Sequence, residues 1–170
     1  VDISGLIGQY AHGNEPSHHI AYLYNYAGAP WKTQERVREI MATQYTPEPD
    51  GLCGNEDCGQ MSAWYVFSAM GFYPVAPATP EYVLGAPLFK KITVDLENGN
   101  KIEITAPENS PENRYVKSVQ LNGETYPRNY FNYEELQKGA SLSFEMSSIP
   151  NKERGTKESD FPYSFSNESR

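Results

Sequence analysis

The chain has 170 residues, enough for one ordinary domain or two small ones, and a net charge of -8 at pH 7. The negative charge argues against nucleic acid as a partner, because a phosphate backbone is bound by a positively charged surface. No apolar run approaches the ~18 residues that a membrane-spanning helix needs, so no membrane span is expected. The sequence begins at Val1 without a methionine, and we expect it to be part of a longer or processed protein.

The hydrophobic pattern predicts an α+β protein with three parts. Residues 1–75 are predicted to be mainly helical, because apolar residues recur there at helical spacing. Residues 76–150 are predicted to form a small antiparallel β-sheet or half-sandwich, because apolar and polar residues alternate there between turn sequences. Residues 151–170 are a polar tail whose aromatic residues are compatible with a last strand.

The first predicted helix follows Asn14, a residue type that favours the cap position, and ends near Gly28. Because four apolar side chains recur along it at helical spacing, this side of the helix is expected to be buried. The four residues are Ile20, Leu23, Tyr24 and Ala27.

Two further helices are predicted before residue 75. The second, at about 33–44, is amphipathic, so Gln34 and Arg38 are expected at the surface. The third, at about 59–70, is apolar on nearly all sides and is expected to be buried. Its expected core residues include Met61, Trp64, Val66 and Ser68.

Two polar turns precede the first and third helices. In an antiparallel arrangement these two helices run in the same direction, so their N-terminal ends lie at the same end of the bundle. One end carries the histidine-rich segment 12–19 and the other carries the acidic segment 55–57. The partial positive charge of helix N-termini stabilises ionised carboxylates. The sequence therefore predicts that both turns open onto a shared polar pocket.

Asp57 is the candidate general base, because a carboxylate at a helix N-terminus stays ionised and can take a proton from water. Asn55 is then expected to orient that water, and Glu56 to bind a metal ion or to support Asp57. The alternative for Asp57, and for Asn55, is a simple helix cap without a catalytic role.

Glu15 and Asn14 are candidates for contact with sugar hydroxyls or with a divalent cation, and His12 and His18 are candidate substrate-binding residues. The alternative is a capped helix with packed histidines. The oxygen donors Asn14, Glu15 and Glu56 suit calcium better than zinc, because calcium prefers oxygen ligands. The histidines lack the i, i+4 spacing that places two imidazoles on one helical face.

Cys53 and Cys58 flank the acidic turn. Free thiols are favoured for this pair, with a local disulfide as the alternative. Two thiolates alone make a weak case for zinc.

Several long motifs resemble the C-terminal part of the bacterial α-mannosidases of glycoside hydrolase family 92. The resemblance covers nearly the whole chain and is strongest from residue 5 to residue 90. The motifs are GLIGQY at 5–10, GNEP at 13–16, LYNYAG at 23–28, PWKTQ at 30–34 and GNEDCGQMSAW at 54–64.

The resemblance implies inverting, calcium-dependent hydrolysis of terminal α-linked mannose, with an α-1,2 linkage as the expectation. It also implies that the helices are the last part of an (α/α)6 barrel that follows a β-sandwich. Asp57 corresponds to the general base, and Asn55 stands where some members have a second acid. Asn14 and Glu15 fall in the segment that lines the calcium ion and the leaving-group subsite.

Further expectations concern the parts of the enzyme that the chain lacks. The resemblance places the general acid upstream, so the chain alone is expected to be inactive. The rest of the parent chain is then a partner, and an exposed barrel edge could pair two copies in a dimer. A secreted, periplasmic or outer-surface location follows from the family. The alternative function is a non-catalytic carbohydrate-binding or structural module.

Overall fold

Short helices and ten strands make up the structure, a computed structural model that describes residues 3–167. The strands are β1 (Leu6–Ile7), β2 (Tyr10–Ala11), β3 (Phe72–Tyr73), β4 (Glu81–Leu84), β5 (Lys91–Asp95), β6 (Lys101–Thr105), β7 (Tyr115–Leu121), β8 (Glu124–Thr125), β9 (Tyr130–Asn132) and β10 (Ala140–Ser147). The α-helices are α1 (Pro30–Thr43), α2 (Gln60–Met70) and α3 (Tyr133–Gln137). Four 3-10 segments lie at Glu15–Ser17, Ile20–Asn25, Glu158–Asp160 and Phe165–Asn167.

The first predicted helix is wrong in both type and orientation. The chain instead makes the two 3-10 turns Glu15–Ser17 and Ile20–Asn25, and Ile20 and Leu23 are 44% and 43% exposed. Asn25 is buried in their place, because its amide donates hydrogen bonds to Thr33 Oγ1 at 3.1 Å and to the Leu84 carbonyl at 2.9 Å. Polar contacts with neighbouring segments therefore decide which side of this segment faces the protein.

Helix α1 begins at Pro30, which suits the first helical position because its missing N–H has no partner there. Gln34 and Arg38, expected at the surface, are buried. The Gln34 side-chain oxygen accepts a hydrogen bond from the Val116 N–H at 3.0 Å, and Arg38 donates to Asn109 Oδ1 at 2.7 Å. Both side chains attach the helix to the segments around the sheet, and this tertiary contact overrides the amphipathic pattern.

Helix α2 runs from Gln60 to Met70, close to the predicted bounds, and Gly71 ends it in a left-handed conformation with φ of 100°. The predicted core residues Met61, Trp64 and Ser68 are buried. Val66 is 55% exposed, so the expectation that the helix is buried on all sides is wrong.

The main sheet has five strands in the order β5-β6-β10-β7-β8, and a smaller sheet has the order β3-β4-β9. The neighbours in both sheets are antiparallel except β10 and β6, which are parallel. The sheet is therefore mixed rather than purely antiparallel. Alternate residues of β10 are buried, as period-two patterning predicts.

Two hydrophobic clusters lie side by side. One is formed by the helical region around Tyr22, Ile40 and Trp64, and the other lies beneath the main sheet around Ile104 and Phe144. Phe67 of α2 packs against both clusters. The helices that carry the candidate site are thus held against the β region.

The tail makes 3-10 turns and no strand within its described part, residues 151–167. Arg154 ties it to the β region, because its guanidinium donates to Asn129 Oδ1 at 3.0 Å and to the Arg128 carbonyl at 2.8 Å. Burial lowers the pKa of Arg154 to about 10.

Candidate functional site

The glycine turn at residue 13 and the glycine turn at residue 54 lie in direct backbone contact. A Cβ atom added to Gly54 would lie 2.4 Å from the Gly13 carbonyl oxygen and 2.6 Å from its Cα. Such distances are far below van der Waals contact, so only glycine permits this approach. The two turns, which the sequence predicts to open onto one pocket, therefore touch through their backbones.

This contact brings together Glu15 and Asp57, which we call the carboxyl pair. Their side chains lie within interaction distance, and each is the largest single influence on the pKa of the other. Glu15 is half-buried and Asp57 is exposed, so the pair is open to solvent rather than sunk in a closed cavity of this chain.

The neighbouring Glu15 side chain is the main cause that raises the pKa of Asp57, because two adjacent carboxyl groups disfavour being ionised together. The interaction with the Asp57 side chain, together with a hydrogen bond to its own backbone, lowers the pKa of Glu15. Asp57 is therefore the later of the two carboxyl groups to ionise as the pH rises. A carboxyl group with a raised pKa is a common feature of acid–base sites.

Asp57 has an unusual backbone conformation. Its φ is 47°, and the next two residues, Cys58 and Gly59, have φ of 57° and 92°. Non-glycine residues rarely adopt this left-handed region, and such strain clusters at functional sites. Residues 57–59 all have left-handed backbone conformations, and Gly59 is the N-cap residue of α2. The predicted cap roles of Asn55 and Asp57 are therefore wrong.

The remaining oxygen donors lie beside the pair in different states. Asn14 and Asn55 are exposed, and the Asn14 side chain makes no cap hydrogen bond. The Glu56 carboxylate accepts hydrogen bonds from the Ser62 N–H at 2.9 Å and the Ser62 hydroxyl at 2.7 Å. These two bonds lower the pKa of Glu56 and hold its carboxylate on the first turn of α2.

His12 and His18, expected to contact substrate, are 0% and 2% exposed. His12 Nδ1 and Nε2 lie 2.8 Å and 2.6 Å from the hydroxyls of Tyr10 and Tyr45. Burial lowers the pKa of His12 to about 3 and lowers that of His18 as well, so both rings are neutral. With their nitrogens bonded inside the protein, these rings are not available to a sugar, and direct contact is not supported for either.

Gln60, Trp64 and Tyr45 support the site, a role that the sequence does not predict for them. The Trp64 indole N–H donates to the His18 carbonyl at 2.9 Å, and the Tyr45 hydroxyl donates to the Met61 carbonyl at 3.1 Å. Gln60 contacts the His18 ring through its amide nitrogen, 3.2 Å from Nδ1. All three sit in helical or apolar patterns that equally predict packing, so the sequence had no feature to mark them.

The side-chain oxygens near the carboxyl pair supply some, but not all, of the ligands that a calcium ion needs. Glu15 and Asn14 present oxygen atoms at the surface, whereas Glu56 is engaged with Ser62. Within residues 3–167, no group of three or more His, Cys, Asp or Glu side chains is arranged to hold a metal ion. Calcium takes six to eight oxygens, so a complete site needs donors from substrate, water or other parts of a longer protein. Cys53 and Cys58 are free thiols.

A family model for the glycosyl hydrolase family 92 catalytic domain matches residues 1–148. The chain belongs to this family. The match includes both turns of the carboxyl pair, all of α1 and α2, and the main sheet.

Solved structures of the family are closely similar to this chain. A family GH92 α-mannosidase from Bacteroides thetaiotaomicron, in complex with mannoimidazole, has 49% identity and a TM-score of 0.94; the match covers 96% of this chain and 22% of that one. An inverting GH92 mannosidase from the same bacterium has 51% identity and a TM-score of 0.89, with 94% and 22% covered.

A curated protein named as an uncharacterized secreted glycosidase, from Arthroderma benhamiae, is 30% identical over 156 residues, which are 90% of this chain and 20% of that protein. The chain thus spans about a fifth of the length of these relatives. None of the helices in residues 3–167 is long and apolar enough to cross a membrane.

Proposed function

We propose that this chain supplies the general-base side of the active site in an α-mannosidase that removes terminal α-linked mannose from glycans. The observation that carries the proposal is the carboxyl pair, in which Asp57 is exposed, adjacent to the Glu15 side chain and held on a strained turn. Family membership and the close α-mannosidase structures support the choice of reaction and sugar.

The proposed reaction is hydrolysis with inversion. An inverting glycosidase uses an acid on the leaving oxygen and a base that activates water on the opposite face of the sugar. Asp57 would take the proton of the attacking water, and Asn55, exposed two residues earlier, would orient that water. Glu15 would keep Asp57 in place and face the leaving-group sugar. The general acid would come from another part of a longer chain, so residues 1–170 alone are expected to be inactive.

Calcium is part of the proposal as a cofactor. Asn14 and Glu15 would hold the ion through their side-chain oxygens, and the chemistry it would supply is polarisation of the sugar hydroxyls. Glu56 is a further candidate ligand, because its two hydrogen bonds to Ser62 hold it on the first turn of α2 and leave a lone pair on each carboxylate oxygen. The α-1,2 linkage, an (α/α)6 barrel completed by the rest of the chain, and a secreted or cell-surface location are likewise proposals.

The proposal is tested in the full-length enzyme that contains this chain, with α-1,2-mannobiose as substrate. Asp57→Asn should lower kcat by at least about a thousandfold, because an amide cannot accept the proton, while KM stays within a few-fold. Asp50→Asn, a change of the same chemistry in the exposed loop before the turn, serves as control and should leave kcat unchanged. Normal turnover by Asp57→Asn would refute the assigned role.

The same substitution separates catalysis from the second candidate, a carbohydrate-binding module. A binding module would leave the turnover of the full enzyme unchanged and lose sugar affinity instead. Chelation followed by titration with calcium tests the cofactor independently, and activity that survives complete chelation would exclude it.

A further inference from the structure

His18 lies between the two turns that carry the carboxyl pair. Its Nε2 donates to the His12 carbonyl at 3.0 Å, and its backbone N–H donates to the Glu15 carbonyl at 2.9 Å. These two bonds close the segment from residue 12 to residue 18 around Glu15. The ring is 2% exposed and stacks on His12 with 4.8 Å between the ring centres.

Gln60 occupies the equivalent place after Asp57. Its backbone N–H donates to the Asp57 carbonyl at 3.2 Å, three residues back, as His18 does to Glu15. Its side-chain amide nitrogen lies 3.2 Å from His18 Nδ1 and 2.9 Å from the Tyr73 hydroxyl. A continuous path of hydrogen bonds therefore runs from the Glu15 carbonyl through His18 and Gln60 to the Asp57 carbonyl.

The direction of each bond follows from the chemistry of the partners. A carbonyl only accepts, so His18 Nε2 carries the hydrogen and Nδ1 is left with a lone pair. The Gln60 amide nitrogen therefore donates to Nδ1, and its second hydrogen points at Tyr73. Neutral His18 has no capacity left for a ligand, and the half-buried Gln60 amide donates both of its hydrogens within the protein.

We infer that Gln60 is a positioning residue that acts through His18 to fix the placement of Asp57 relative to Glu15. This inference rests on the proposed function, since it gives the hydrogen bond between Gln60 and His18 a role in the reaction. The strained turn at 57–59 makes such a support necessary, because left-handed Asp57 and Cys58 persist only when their surroundings hold them.

The test is Gln60→Met in the full-length enzyme, a substitution that keeps the length of the side chain and removes both donors. Loss of the bond lets the carboxyl pair drift, and a displacement near 1 Å costs roughly a hundredfold in rate. We expect kcat to fall by about ten- to a hundredfold, with KM within about twofold of the wild type. Tyr73→Phe removes only the other partner of Gln60 and should leave kcat within about twofold.

Gln60→Asn provides a second variant if Gln60→Met does not fold. It keeps the amide but withdraws it by one methylene, so the contact with Nδ1 is lost and the same fall in kcat is expected. Hydrogen–deuterium exchange should rise in residues 12–18 and 55–61 of either variant, and not in β10. A purely structural role for Gln60 would instead increase exchange across α2 and the sheet.

Wild-type kcat in both Gln60 variants would overturn the inference while leaving the role of Asp57 intact. A raised KM with unchanged kcat would also overturn it, because that pattern indicates that the His18 region binds sugar directly. Failure of the proposed function is distinguishable, since it would show as normal turnover in Asp57→Asn whatever the Gln60 variants do.

Discussion

Gly54→Ala is the sharpest test of how the two turns are held together. The added methyl carbon would lie 2.4 Å from the Gly13 carbonyl oxygen and 2.9 Å from its carbon. Close C···O contacts in proteins are about 3.3 Å or more, so the two backbones must separate by about 1 Å. The φ of Gly54 lies outside the left-handed region, so an alanine can adopt this backbone conformation. The free-energy cost of the substitution therefore comes from steric contact.

The separation is transmitted directly to the carboxyl pair, because Glu15 lies two residues after Gly13 and Asp57 three residues after Gly54. A displacement of this size is expected to lower kcat by roughly a hundredfold. Overpacking of rigid backbone should also destabilise the protein by about 1–3 kcal/mol. The assays are steady-state hydrolysis of α-1,2-mannobiose by the full-length enzyme and urea unfolding monitored by tryptophan fluorescence.

Gly85→Ala is the matched control. It adds the same methyl group where the nearest atoms belong to Tyr22, at 3.4 Å, and Val37, at 3.6 Å, and neither residue lies in the two turns of the carboxyl pair. This variant should keep its kcat and change stability only slightly. A Gly54→Ala enzyme with wild-type kcat would refute the reasoning, as would an equal loss of kcat in Gly85→Ala.

Three further predictions concern neighbouring features. Ser62→Ala should raise the pKa of Glu56 toward its ordinary value, because the 2.7 Å hydrogen bond from the Ser62 hydroxyl is lost. Ser62→Thr keeps a hydroxyl and should leave the pKa low. NMR titration measures both variants, and equal pKa values would contradict a role of the hydroxyl in lowering the pKa of Glu56. The free energy of unfolding of the 170-residue chain should fall as the pH drops from 6.5 toward 3, by about 1.4 kcal/mol per pH unit for each proton taken up. The reason is that His12 is protonated in the unfolded chain over this range but stays neutral in the folded one. Urea unfolding measures this, and a stability that does not change over this range would argue against it. The isolated chain should self-associate through exposed apolar residues such as Ile20 and Leu23. Replacing both residues by Glu should yield monomers in analytical ultracentrifugation. A monomeric unsubstituted chain would contradict this prediction.

Local chemistry determined several features from the sequence alone. The bounds of α2 follow from its glycines and its apolar spacing, and Trp64 is in the core as its position predicts. The main strands follow from period-two alternation. The meeting of the two polar turns is expected from the sequence, but the helix pair behind that expectation is absent, because the first helix is replaced by the 3-10 turns Glu15–Ser17 and Ile20–Asn25. The contact is made instead by Gly13 and Gly54, whose backbones touch.

Tertiary structure decided what single-segment patterns leave open. Ile20 and Leu23 are exposed because the buried hydrogen bonds of Asn25 orient that segment the other way. His12 and His18 became buried supports rather than ligand contacts for the same reason, since distant Tyr45 and Gln60 complete their hydrogen bonds. Partners 33 and 42 residues away in the chain leave no trace in local periodicity, so only the folded arrangement reveals which polar residues face substrate and which hold the site.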